Sequence, residues 1–236
     1  MPTHANALVI MAKAPLPGKA KTRLVPPLSP EEAAELSRCL LLDLIEGLKS
    51  FQRADLFIAF TPVEHAAFFS GTARGHFVCI PQRGRDLGER MKHIFEDLFS
   101  RGYRSIVVIG SDVPVFPPRF LQDAFAALEN SDCKFTLGPS RDGGYYLIGM
   151  NRYVPDVFQG IPWSSSRVLS ATVQRLSALG LVPHFIPTWC DVDTVEDLRY
   201  LKSLVDQLPD CSGQVTRGFL NALSAKQVIW SYRREQ

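Results

Sequence analysis

Four cations crowd into the eleven residues from Lys13 to Arg23: Lys13, Lys19, Lys21 and Arg23, within the stretch AKAPLPGKAKTRL that follows the apolar run ALVIM. A turn after a buried strand needs Gly or Pro, but gains nothing from like charges that repel one another. Ammonium and guanidinium groups form charge-assisted hydrogen bonds to phosphate oxygens, so the cluster is a candidate clamp for a diphosphate or triphosphate. Pro15 and Pro17 restrict the loop and reduce the entropy lost when a ligand is held. The competing reading is a solvated basic loop. The stretch is not a Walker loop, because Gly18-Lys19 is followed by Ala20, and the chain offers no G-x-G-x-x-G turn for a dinucleotide.

Carboxylates supply the other half of a polyphosphate site. Asp112 ends the apolar run of VVIGSDVP, where a carboxylate at a strand's C-terminal edge suits Mg²⁺ or Mn²⁺, hard cations that also grip phosphate; its alternatives are a turn residue or a cap for the helix near Pro117. In WCDVDTVEDL, Asp191 and Asp193 alternate and share one face of an extended backbone. Either completes a metal shell begun by Asp112, or Asp193 caps the helix that follows. Asp142 in GPSRDGGYYLIGM is the candidate general base. Beside it Gly143 and Gly144 permit close approach of a ligand, and the competing reading is a plain β-turn leading into a strand. Arg83 and Arg85 precede a helix whose N-terminus favours an anion. Trp163 offers a surface for stacking a base or sugar, or a hydrophobic staple. The five histidines form no ligand spacing, and no G-x-S-x-G marks a serine nucleophile.

The elements that position these residues read as strands and helices in alternation. Short apolar runs at 7–11, 55–60, 76–80, 105–110 and 134–139 are separated by helical patterns at 29–50, 87–100 and 117–129. Apolar strands joined by helices predict a mostly parallel sheet covered on both faces, a three-layer α/β/α sandwich. In such sheets ligands bind beyond the carboxyl ends of the strands, where the loops above lie. Ser29, Pro30 and Glu32 predict a capping box. A Ser cap and a Gly180 stop bound a helix after Trp163, and Asp193 or Thr194 caps another. One domain over 1–208 is expected, followed by a helical appendage at 209–236.

Composition narrows the class. A net charge of +2 with 46% hydrophobic and 21% charged residues describes an ordinary globular chain rather than a nucleic-acid module or a disordered one. Five scattered cysteines without a C-x-x-C pair support neither a disulfide framework nor a zinc ribbon. No run approaches the roughly 20 apolar residues of a membrane span, and the apolar segment near the N-terminus is too brief for a signal peptide. A cytoplasmic protein without membrane or nucleic-acid partners is expected.

The order of AKAPLPGKAKTRL, DLGERM (Asp86 to Met91), GSDVP, DGGYYLIGM, GIPWSSSRVL and DVDTVEDL resembles a bacterial family of nucleotide-diphospho-sugar transferases, some of them described as arsenosugar-biosynthesis glycosyltransferases. The resemblance runs from about residue 7 to 201. It implies the glycosyltransferase A fold, a divalent metal, and kinship with the guanylyltransferases of 2-phospholactate and of the molybdenum cofactor. On that reading Asp112, Asp191 and Asp193 hold Mg²⁺ or Mn²⁺, and Asp112 and Asp142 carry catalysis. Lys13, Lys19, Lys21, Arg23, Arg83, Arg85, Gly88, Gly143, Gly144 and Trp163 bind nucleotide and phosphate. The expected reaction moves a sugar from a nucleotide sugar to a small-molecule acceptor. The alternatives are nucleotidyl transfer from a nucleoside triphosphate and a nucleotide-binding protein without catalysis.

Overall fold

The computed structural model describes residues 2–114, 117–130, 132–207 and 212–224. Along them run β1 (Asn6–Lys13), α1 (Pro30–Leu48), β2 (Asp55–Thr61), α2 (Ala66–Ala73), β3 (Val78–Pro81), α3 (Leu87–Ser100) and β4 (Ser105–Gly110). There follow α4 (Pro118–Glu129), β5 (Phe135–Pro139), β6 (Tyr145–Met150), α5 (Val168–Ala178), β7 (Pro183–Phe185), α6 (Val195–Gln207) and α7 (Gln214–Ser224). No described helix is long and apolar enough to cross a membrane. The chain divides into two compact units, one of Met1–Ala12, Lys49–Gly110 and Pro117–Trp189, the other of Lys13–Leu48, Ser111–Phe116 and Cys190–Gln236.

The first unit holds the sheet, in the order β3-β2-β1-β4-β6-β5-β7. β2 with β3, β1 with β4, and β5 with β7 are parallel, while β6 runs antiparallel to both of its neighbours. The inner strands are apolar on both faces because both are covered, as expected of an α/β/α sandwich, whereas the edge strands β3 and β7 stay largely exposed. On one face Val9, Val108 and Ile148 meet Phe95 and Leu98 of α3 and Leu176 of α5. On the other, Phe60 stacks on Phe69 of α2, and the strand glycine Gly149 sits under Leu128 of α4. The reversal of β6 follows from the Asp142–Gly144 turn, closed by Ser140 N–H donating to the Gly144 carbonyl at 3.0 Å.

The second unit buries Leu36 and Leu40 of α1 against Leu198 and Leu201 of α6 and Leu220 of α7, each side chain contributing roughly 1.5–3 kcal/mol by leaving water. Its helix starts obey the sequence. Ser29 Oγ accepts the Glu32 N–H at 3.1 Å and Glu32 accepts the Ser29 N–H at 2.9 Å, the anticipated capping box. The segment expected as a C-terminal appendage supplies α7, whose first amides, Val215 N–H and Thr216 N–H, donate to Asp43 of α1 at 3.1 and 2.8 Å. Residues 208–211 and 225–236 lie outside the described residues.

At the amino end of β2, Asp55 gathers the N-terminal segment. Its carboxylate accepts Thr3 N–H at 2.8 Å and Tyr103 Oη–H at 2.7 Å, and pairs with His4 Nδ1 at 2.7 Å. Burial raises the Asp55 pKa, but these donors outweigh it and hold the group below its ordinary 3.8. Burial and the neighbouring carboxylate push Tyr103 up to about 12.

Two outcomes are expected. A Cβ on Gly149 would stand 2.5 Å from Thr136 Oγ1 and 3.1 Å from Leu128 Cδ1, so Gly149→Ala lowers the unfolding free energy by about 1–3 kcal/mol in urea titration. The depressed Asp55 contributes stability that is complete above its unfolded value of about 3.9 and is lost as pH falls through the lower folded value. Asp55→Asn therefore flattens the loss of melting temperature below about pH 4 relative to wild type.

Candidate functional site

The basic loop separates its four cations by backbone geometry. Leu16 O accepts both Lys19 N–H and Ala20 N–H at 3.0 Å, closing a turn around Gly18 at φ +71°. Three residues after Gly18, Lys21 itself adopts φ 48°, ψ 38°, a left-handed conformation that costs a non-glycine residue on the order of 1–3 kcal/mol. That conformation accompanies an inward side chain: the Lys21 side chain is 2% exposed, whereas Arg23 is 64% exposed. Lys13 and Lys19 are exposed as well, and Lys13 Nζ donates to Lys19 O at 3.1 Å, bracing the loop.

Buried Lys21 ends between two carboxylates. Its Nζ lies 2.8 Å from Asp112 Oδ1 and 3.4 Å from Asp193 Oδ1, and Arg23 Nη1 stands 3.8 Å from Asp193 Oδ2. Burial alone would lower the Lys21 ammonium, but Asp112 and then Asp193 outweigh it and hold it above its ordinary value. Lys21 and Asp112 meet within the second unit. Asp193 joins through the start of α6, where Asp112 O accepts Val192 N–H at 3.3 Å.

The capping alternative for Asp193 goes to its neighbour. Thr194 Oγ1 accepts Asp197 N–H at 3.2 Å, and Asp197 accepts the amides of Thr194 at 2.8 Å and Asp193 at 3.1 Å. The Asp193 carboxylate thus faces cations rather than the helix. Asp112 remains 49% and Asp193 34% exposed, and Asp191 lies half-buried two residues before Asp193. A carboxylate has about four lone-pair sites, so one ammonium at the two Oδ1 atoms leaves oxygen donors on the exposed edges. Asp191 and Asp193 bring carboxylate oxygens within 4.8 Å of one another, and oxygen ligands of this kind suit Mg²⁺ or Mn²⁺.

The remaining predicted residues lie in the sheet-bearing unit, where several make firm contacts within the protein. Arg83 Nη2 donates to both oxygens of Asp97 at 2.8 Å, and Arg85 pairs with Glu89 at 2.7 Å. The Arg85 hydrogen bonds hold half-buried Glu89 down to about 2. Pairs of this kind are screened by solvent and weak, so both guanidinium groups stay exchangeable. Asp86 caps α3 by accepting Glu89 N–H at 2.8 Å. Gly88 underlies Trp163, because a Cβ there would stand 2.5 Å from the indole Nε1. Asp142 accepts Gly144 N–H at 2.9 Å and the Ser140 hydroxyl, a contact absent from the sequence reading. Gly143, at φ +89°, has the Ser166 carbonyl oxygen 2.1 Å from where a Cβ would sit. Its own carbonyl accepts Leu169 N–H at 2.9 Å. The glycine pair therefore serves a turn and the packing of the WSSSR loop. The Ser cap expected for α5 is replaced by this contact, with Arg167 at the N-cap making no side-chain bond.

A family model described as "Uncharacterized protein conserved in bacteria (DUF2064)" matches residues 44–165, just over half of the chain. No curated protein matches the sequence. Among solved structures, the chain is similar to a "putative nucleotide-diphospho-sugar transferase" from Desulfovibrio desulfuricans G20, at 34% identity over 99% of this chain and 100% of that one, with a TM-score of 0.88. A cytidylyltransferase from Leptospira borgpetersenii serovar Hardjo-bovis shares the fold at 12% identity over 99% and 100% of the two chains, with a TM-score of 0.61. So does a CMP:2-keto-3-deoxy-manno-octonic acid synthetase complexed with CTP, at 13% identity, 86% and 98% coverage and a TM-score of 0.56. By the extent of the family model and by an end-to-end relative at 34% identity, the chain belongs to the bacterial family DUF2064 and has the fold of the nucleotide-diphospho-sugar transferases.

Proposed function

We propose that this chain is a transferase that takes a sugar from a nucleotide-diphospho-sugar donor and passes it to a small-molecule acceptor. The observation that carries this reading is the meeting of Asp112 and Asp193, each with an exposed carboxylate edge, over the buried ammonium of Lys21. The 34% identity to the Desulfovibrio protein directs the choice of donor.

Asp112 and Asp193, with Asp191 beside them, are the residues that would hold Mg²⁺ or Mn²⁺, and the bound cation would neutralise charge on the donor's diphosphate. Lys19 and Arg23, exposed on the same loop, supply charge-assisted hydrogen bonds to phosphate oxygens. The acceptor hydroxyl forms a bond to the anomeric carbon while the bond from that carbon to the diphosphate oxygen breaks. The electron pair leaves with the nucleoside diphosphate, whose growing charge these cationic side chains stabilise, and the hydroxyl proton passes to a base.

A second reading draws support from the three exposed cations Lys13, Lys19 and Arg23, which suit a triphosphate. In it a phosphorylated acceptor attacks the α-phosphate of a nucleoside triphosphate and pyrophosphate leaves. Product analysis separates the two. With Mn²⁺, a panel of nucleotide sugars and candidate acceptors yields nucleoside diphosphate under the first reading, whereas nucleoside triphosphates with sugar phosphates yield pyrophosphate under the second. Asp112→Asn and Asp193→Asn each reduce the productive reaction at least about 100-fold while cooperative melting persists, a loss of about 3 kcal/mol in transition-state stabilisation. Full activity in a folded Asp112→Asn protein would overturn both readings.

A further inference from the structure

We infer that Lys21, which the sequence groups with its neighbours as a phosphate ligand, is instead a resident counter-ion that positions Asp112 and Asp193 and sets their affinity for a divalent cation. The inference rests on the role proposed above for the two carboxylates and assigns this lysine the opposite orientation to the rest of its loop.

The geometry separates Lys21 from Lys19 and Arg23. With its side chain 2% exposed, Lys21 has no surface to offer a polyphosphate, and two of its three N–H donors point at Asp112 and Asp193. Lys19 is exposed, and Arg23 stays 64% exposed although its Nη1 lies 3.8 Å from Asp193 Oδ2. The left-handed backbone at Lys21, φ 48° and ψ 38°, is sparsely populated by residues with a Cβ and persists only where surroundings over-determine it. Here the surroundings are the two carboxylates. They come from segments far apart in the chain, and without a cation between them they would repel.

A single buried ammonium does two things to such a pair. It draws the two Oδ1 atoms to one point, so the exposed edges of both carboxylates are set before any cation arrives. It also offsets one of their two negative charges, leaving a net charge of −1 on the trio. A divalent cation alone is then attracted weakly, and firm binding requires the added negative charge of a polyphosphate bound with it. Lys21 thereby couples cation retention to the presence of substrate.

The test compares wild type, Lys21→Gln and Lys21→Arg by calorimetric titration with Mn²⁺ alone, then with inorganic pyrophosphate in the presence of Mn²⁺. Lys21→Gln keeps an amide donor toward the carboxylates but removes the charge. It is expected to bind Mn²⁺ alone at least about tenfold more tightly than wild type, with its pyrophosphate affinity within about threefold. Lys21→Arg keeps the charge and stays within about threefold of wild type for Mn²⁺; as it preserves the ion pairs, this arm stands even if Lys21→Gln fails to melt cooperatively. The inference is overturned if Lys21→Gln binds Mn²⁺ as wild type does, or if either variant loses pyrophosphate tenfold with Mn²⁺ affinity unchanged, the signature of a phosphate ligand. A wild-type protein that binds no Mn²⁺ even with pyrophosphate would instead defeat the metal role of Asp112 and Asp193 in the proposed function, and the inference with it.

Discussion

A lysine ammonium taken out of water and held between two aspartates is the interaction on which the candidate site depends. Burying a charge carries a penalty of several kcal/mol per ion, and the return attraction is seldom large enough to make such a pair a source of net stability. Lys21 nevertheless stays charged, because Asp112 and Asp193 outweigh the effect of burial. An arrangement that contributes little to folding and strains the local backbone is explained by what it arranges. It fixes the oxygen atoms of two loops relative to each other while their outer edges stay in solvent.

The topology makes that meeting possible at low entropic expense. Lys21, Asp112 and Asp193 all belong to the second compact unit, so no contact with the sheet-bearing unit is needed to bring them together. The start of α6 is pinned by its own Thr194–Asp197 cap and by a core of α1, α6 and α7 residues. Asp193 is consequently relieved of helix capping. A side chain with that freedom on a rigid element can be aimed, which a capping carboxylate cannot.

Much of this was legible in the sequence, for reasons that differ by element. The runs at 55–60 and 105–110 became β2 and β4, and 87–100 became α3, because strand and helix periodicities are clear there. α2 was missed because AAFFSGTA is short and apolar without a helical stripe. β7 is three residues behind a proline-led start, too brief to carry a period. The antiparallel course of β6 was present in the β-turn reading of DGG but not in the preference for a parallel sheet. At the site, the acidic positions could be anticipated, since a carboxylate ending an apolar strand is chemically conspicuous. The inward turn of Lys21 could not, because nothing in residue type or spacing distinguishes it from Lys19. Only its backbone angle and its two partners do. Gly143 shows the converse: glycine signalled a close approach, and the atom that approaches is the Ser166 carbonyl.

The loop from Lys13 to Arg23 therefore contains two kinds of cation with different physical consequences. A buried charge held between fixed carboxylates does not reorganise when a ligand arrives, so it holds their geometry rather than meeting the ligand itself. Exposed lysine and arginine side chains are screened, mobile and individually weak, so they tune affinity and encounter rather than geometry. Asp112, Asp193 and Lys21 then form the fixed part of the site, and Lys19 and Arg23 its adjustable rim.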